Sequence, residues 1–218
     1  MRTMRIVLAV TCGATLLAAA APAGAATLVA DKECYIAEGA MQLTGSGFGA
    51  GAPINVAGEQ IALSGNAGPD GAFSATVRAP LLGTIKPAAK RYTVTATDPA
   101  SSTSASVDIN VANAAFSTST GFKSPKAKRT WKFSGLFQNP GKPIYGHFRH
   151  GGKTYANYRF GVPTGPCGTL TRKAPGIPAR TVPSGSWTVQ VDFKRSYSAN
   201  TTPRLTGTTT VFKTFSTR

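Results

Sequence analysis

The stretch 187–193, WTVQVDF, sets Trp187, Val189, Val191 and Phe193 against Thr188, Gln190 and Asp192. Side chains on a β-strand alternate between its two faces, so the first four predict a core face and the others a wet one. A second stretch, 92–98 (YTVTATD), repeats the pattern behind a leading aromatic. The echo continues upstream, where 47–54 (GFGAGAPI) and 136–144 (LFQNPGKPI) share a phenylalanine, a short turn with glycine, and a closing Pro-Ile. Two diverged copies of one β-unit account for both matches.

Working outward, short runs of alternating, β-branched and aromatic residues recur between Gly, Pro, Asn and Asp, and no segment keeps a helical period. The predicted strands of the first half are 27–30 with 34–36, 41–44, 53–56, 60–63, 72–78, 92–97 and 105–111. Those of the second half are 115–118, 129–134, 144–150, 154–160, 169–172, 186–193 and 207–215. Strands this short and this frequent predict an all-β protein of two tandem immunoglobulin-like β-sandwich domains.

Ahead of them, residues 1–5 carry Arg2 and Arg5, residues 6–20 are almost wholly apolar, and Ala23-Gly24-Ala25 forms an A-x-A box. This is the pattern of a secretory signal peptide, and its apolar run is shorter than the roughly 20 residues that span a bilayer. The expected division is therefore 1–25 signal peptide, 26–113 near-neutral sandwich and 114–218 basic sandwich. Cys12 leaves with the leader, since Ala9-Val10-Thr11 is a poor lipobox. The mature chain is expected to have no transmembrane segment, and to be secreted or associated with the cell envelope. It keeps Cys34 and Cys167 in different halves. In an oxidising compartment they form either one bridge between the halves or two buried free thiols.

Residues 43–56 (LTGSGFGAGAPINV), 70–77 (DGAFSATV) and 92–98 resemble the strands of bacterial immunoglobulin-like modules of exported proteins, including the IPT/TIG type. The resemblance covers residues 27–114 and reaches the second half through FQNPGKPIYGHF (137–148), CGTL (167–170) and GSWTVQVDF (185–193). It implies a sandwich that works as spacer, adhesion or binding domain, and it brings no catalytic residues with it.

Charge separates the halves. Residues 27–113 hold five cations and seven acids, whereas residues 114–218 hold seventeen cations and a single acid, Asp192. The step begins at 123–129, KSPKAKR, with four cations and no acid. A basic surface is often only solvated, but the near absence of acids across a whole domain points to an anionic partner. The candidates are an anionic envelope polymer, lipid headgroups, an acidic protein, or extracellular nucleic acid. If Ile144 and Phe148 face the core, Tyr145, His147 and Arg149 point outward, and the next strand offers Lys153, Tyr155 and Arg159 on one face. Lys123, Lys126, Lys128, Arg129, Lys194 and Arg195 add positive charge near strand ends.

Enzymatic readings find little support. His147 and His150 are three apart on a strand and so point to opposite faces, which argues against a shared metal. Cys167 with His147 as base would suit a cysteine enzyme, but no peptidase signature surrounds them. No G-x-S-x-G motif occurs, and the second half has only one carboxylate where glycoside hydrolysis needs two. The expectation is a non-catalytic exported binding protein, without cofactor or metal, whose second module docks on a polyanion. The alternative is a structural or spacer subunit that binds an acidic protein.

Overall fold

The computed structural model describes residues 25–119 and 124–212. The expected signal peptide (all but its last residue), Lys123 and the end of the last expected strand lie outside those residues. The first half folds as β1 (Thr27–Ala30), β2 (Cys34–Ile36), β3 (Ala40–Ser46), β4 (Pro53–Gly58), β5 (Ile61–Asn66), β6 (Phe73–Arg78), β7 (Ala89–Asp98) and β8 (Thr103–Ala112). A three-stranded sheet, β1-β3-β6, packs on a five-stranded sheet, β2-β8-β7-β4-β5. Every pairing is antiparallel except that of β2 with β8, which is parallel.

The second half repeats the plan with β9 (Ala115–Thr118), β10 (Lys128–Ser134), β11 (Ile144–His150), β12 (Lys153–Gly161), β13 (Leu170–Pro175), β14 (Gly185–Asp192) and β15 (Leu205–Val211). Its sheets are β13-β10-β9 and β12-β11-β14-β15. Strand for strand, β9 and β10 correspond to β1 and β3, and β11 to β15 correspond to β4 to β8. The chain is all-β, two tandem immunoglobulin-like sandwiches, and WTVQVDF and YTVTATD are the matched strands β14 and β7.

The alternation places each core. Met41, Leu43, Ile54, Val56, Tyr92, Val94, Ile109 and Val111 are buried between the first pair of sheets. Trp131, Phe133, Ile144, Phe148, Phe160, Trp187, Val189 and Val191 are buried between the second. This second core is built on rings: Phe160 lies 4.8 Å from Phe133 and 5.0 Å from Trp131, centroid to centroid. Gly146 supplies the room on β11, since a Cβ there would stand 2.5 Å from the Phe160 ring.

The halves meet at residues 113–114 and 134–137. Ser134 Oγ donates to the carbonyl of Asn113 at 2.6 Å and accepts from the amide of Ala88 at 3.2 Å. Gly135, at φ 75°, sits so close that a Cβ would be 2.7 Å from the Cα of Ala114. Beside this contact Cys34 and Cys167 are bonded to one another, with S–S 1.97 Å and Cα–Cα 5.3 Å. Both are buried with Ala112 and packed by Phe137. Of the two fates open to these cysteines, the structure has the bridge.

Candidate functional site

The outer face of the four-stranded sheet differs from the wet surface that alternation predicts. Tyr145, His147 and Arg149 on β11 pair in register with Asp192, Gln190 and Thr188 on β14. Residues 193–204, which join β14 to β15, fold back over this face. Gln190 Nε2 donates to the carbonyl of Ser198 at 2.8 Å, and Arg149 donates to the hydroxyl of Tyr197 at 2.7 Å while its guanidinium lies 4.0 Å from that ring. His147 and Asp192 are thereby covered completely, each 0% exposed. The outward position expected for His147 is corrected: it is on the outer side of the sheet, but under a lid of chain that the alternation could not show.

Beneath that cover is a polar cluster. Asp192 Oδ1 lies 3.1 Å from His147 Nε2, and Asn157 Oδ1 lies 2.7 Å from His147 Nδ1. Asp192 also accepts from Gln190 Nε2 at 2.6 Å and from the backbone amide of Lys194 at 2.7 Å. A buried carboxylate is tolerated only with such partners. The consequence for the surface is large. Asp192 is the single acid of the second half, so among the described residues of that half every accessible charged side chain is a cation.

The predicted cations do not form one patch. On the four-stranded sheet Arg159 stands opposite Tyr145, and Arg149, Lys194, Arg195 and the unpredicted Arg204 gather around the covering segment. A register shift between Phe148 and Arg149 breaks the alternation that put Lys153, Tyr155 and Arg159 together. Tyr155 instead turns toward the core, 5.1 Å from Trp187, with Lys153 Nζ 5.7 Å above its ring. On the opposite side of the sandwich Lys128 shares the outer face of β10 with Lys132, and Lys173 shares the outer face of β13 with Thr171, which is paired with Lys132. Lys132 and Lys173 were missed, although the spacing of Lys132 between the core residues Trp131 and Phe133 announces an outward cation. Lys126 donates to the carbonyl of Arg180 at 2.7 Å. Arg129, in register with buried Ala174, points inward rather than onto either basic face.

The first half handles its charges differently. Lys90 pairs with Glu59 at 2.7 Å, Arg91 with Asp108, and Lys32 with Asp31 at 3.3 Å. The hydrogen bond from Lys90 to Glu59 raises the ammonium above its ordinary value. The Thr93 hydroxyl and then Arg91 hold the Asp108 carboxyl below its own. The Asp31 carboxyl is likewise held low, first by the Tyr35 hydroxyl at 2.7 Å. Burial and then Asp31 push the Tyr35 phenol up to about 12.

The cysteine reading fails on the bridge. A sulfur bonded to Cys34 has no thiolate to attack with, and His147 is sealed beneath the 193–204 segment. His150 donates to the carbonyl of Ser186 and packs against Trp187, on the side of β11 away from His147. Among the described residues no three His, Cys, Asp or Glu side chains group as a metal would require. Nor is any helix there long and apolar enough to cross a membrane.

No known family matches the chain, and no curated protein does. Solved structures similar to it include the following three. A tetra-tandem repeat from the extending region of a large adhesion protein is 14% identical, with 86% of this chain and 49% of that one covered, at TM-score 0.29. The YadV chaperone is 11% identical, with 84% and 99% covered, at TM-score 0.27. A Ca2+-stabilized adhesin that helps an Antarctic bacterium bind ice is 15% identical, with 88% and 49% covered, at TM-score 0.32. The chain spans about half the length of the first and third, and at these scores the likenesses assign neither family nor function.

Proposed function

We propose that this is an exported, non-catalytic binding protein whose second half docks on an anionic polymer of the cell envelope. The observation that carries the reading is the burial of Asp192: the one acid in a unit with seventeen cations is withdrawn from the surface and hydrogen-bonded inside it. The cations Lys32, Lys90 and Arg91 of the first half are each matched by a carboxylate, so attraction to a polyanion resides in the second. Export is supported by the leader-like N-terminus and by a buried disulfide, which persists in oxidising compartments.

The test is binding of the full chain to polyphosphate and to an acidic polysaccharide across a salt series. Charge contacts are screened within about 8–10 Å at moderate salt, so affinity should fall steeply as salt rises. For a phosphate polymer each neutralised phosphate adds roughly one unit to the slope of log affinity against log salt. Reversing Arg149, Lys153 and Arg159 to glutamate should weaken binding more than reversing Lys86, Lys90 and Arg91. Equal losses from the two triplets, or an affinity indifferent to salt, would remove the basis of the reading and favour a shape-specific acidic protein.

A further inference from the structure

The matched strands of the two halves differ in charge at matched positions. Trp187 corresponds to Tyr92, so Thr188 corresponds to Thr93, and their partners on the next strand are Thr208 and Asp108. Likewise Arg149 follows Phe148, the partner of Val189, as Glu59 follows Gly58, the partner of the matched Val94. In the first half both acids are satisfied within their own sheet. Asp108 accepts from the Thr93 hydroxyl at 2.6 Å and holds Arg91, while Glu59 holds Lys90. In the second half a hydroxyl and a guanidinium take the places of those carboxylates.

The connection beside them differs as well. Residues 99–102 join β7 to β8, whereas the longer segment 193–204 joins β14 to β15. That segment walls a depression of about 450 Å³ on the outer face, lined by Arg149, Thr188, Tyr197, Arg204, Thr206 and Thr208. It lies at the start of β15, and the strand leads away from it toward Val211. Arg149 donates to the Tyr197 hydroxyl and to the carbonyl of Gly152, and Arg204 donates to the carbonyl of Ala199. All three acceptors are neutral. The eight acidic side chains of the whole sequence lie among the described residues, and none forms an ion pair with either arginine. Both guanidiniums are thus positioned by the fold without being neutralised by it. Thr188, Thr206 and Thr208 stand exposed beside them, and their hydroxyls make no hydrogen bond among the described residues.

We propose that this depression is a subsite for one acidic unit of the polymer, an oxyanion with sugar or polyol hydroxyls beside it. The proposal rests on the polyanion reading and specifies what that ligand carries. A guanidinium offers paired N–H donors to a carboxylate or a phosphate. A threonine hydroxyl both donates and accepts, so three of them suit a ligand that does the same next to its charge. A bare polyphosphate chain only accepts, and leaves the accepting side of those hydroxyls idle. Because Arg149 and Arg204 are already held in place, little side-chain freedom is lost when the anion arrives.

The experiment titrates the ¹⁵N-labelled full chain with single units in place of polymers: methyl glucuronide, glycerol 1-phosphate, neutral methyl glucoside, and acetate and inorganic phosphate as bare anions. The expected result is saturable amide shifts confined to residues 188, 197 and 204–208, given by the glucuronide, by the glycerol phosphate or by both. Which of the two binds distinguishes a carboxylate source from a phosphate source. The glucoside and the bare anions should bind at least about tenfold more weakly. Thr208→Asp, which restores the acid of the first half, should weaken binding at least about tenfold, as should Arg204→Gln. Thr208→Ser keeps the hydroxyl and should stay within about threefold. Thr130→Asp adds the same charge on the opposite face and should leave binding within about twofold. No saturable shift with either acidic unit, equal binding of the bare anions, or equal losses from Thr208→Asp and Thr130→Asp would overturn the proposal. The polyanion reading is scored separately, on the salt dependence of polymer binding, and would survive each of those outcomes.

Discussion

Replacing Cys34 and Cys167 together by alanine tests how the two halves share stability. The bridge spans 133 residues, but the loops that matter are shorter, because either half unfolds while tethered to the other. From Cys34 to the junction at Ala114 the bridge closes a loop of about 80 residues, and from Ala114 to Cys167 one of about 50. By loop-closure entropy these correspond to at most about 4.5 and 4 kcal/mol at 25 °C. For units of this size 1 kcal/mol moves the melting midpoint by about 4–8 °C, so removal should lower each midpoint by up to roughly 15–35 °C. The chain's two tryptophans, Trp131 and Trp187, are both in the second core. Tryptophan emission therefore follows that core alone, while far-ultraviolet dichroism follows both. The two signals should melt closer together with the bridge than without it. A midpoint that shifts by less than about 3 °C would show that the bridge constrains neither loop. Signals that stay coincident in the double variant would instead refute two separately closing cores.

Three other perturbations have defined outcomes. Because burial raises Tyr35 from 10.0 to about 12, folding favours its protonated form. That contribution is complete below pH 10 and is lost as pH rises through 12, so Tyr35→Phe should flatten the fall in urea stability between those values. Parallel curves for the two proteins would count against it. Asp192→Ala leaves His147 and Gln190 with buried unmatched groups and should cost about 3–5 kcal/mol in urea unfolding; a loss under about 1 kcal/mol would mean that the covering segment simply lifts. Gly135→Ala places a side chain at φ 75° against Ala114 and should cost at least about 2 kcal/mol, with the change visible in amide shifts on both sides of the junction.

Much of the architecture was legible because it rests on short-range rules. Alternation alone located β14 and β7 and separated core from outside for Trp187, Val189, Val191, Tyr92 and Val94. Strand limits moved only at the ends, as with β15, which starts at Leu205 rather than 207. What alternation could not reach was a contact set by tertiary placement. Nothing local to Cys34 or Cys167 shows that a turn of the second sandwich lies against the end of β2, since the register of β2 with β8 and the docking of Gly135 on Ala114 together create that meeting. The bulge between Phe148 and Arg149 likewise moved Tyr155 from an expected outer face to the core, because one extra residue reverses the parity of everything beyond it.

The charge of the second half was legible as a count but not as a surface. Summed over the sequence, Asp192 is an acid that offsets one of seventeen cations. Folded, it presents no carboxylate beside those outside, because His147, Gln190 and the Lys194 amide hold its oxygens within the sheet. The cations in turn divide between two opposite faces, Arg149 and Arg159 on one and Lys132 and Lys173 on the other. A stiff polymer can lie on only one face at a time, whereas a flexible one can wrap both. Glutamate substitutions on one face should therefore halve the salt slope for a flexible polyphosphate, if both faces contribute equally. For a stiff duplex they should either abolish binding or leave it unchanged, according to the face chosen. A slope reduced by the same fraction for both ligands would mean that the two faces act as one continuous field.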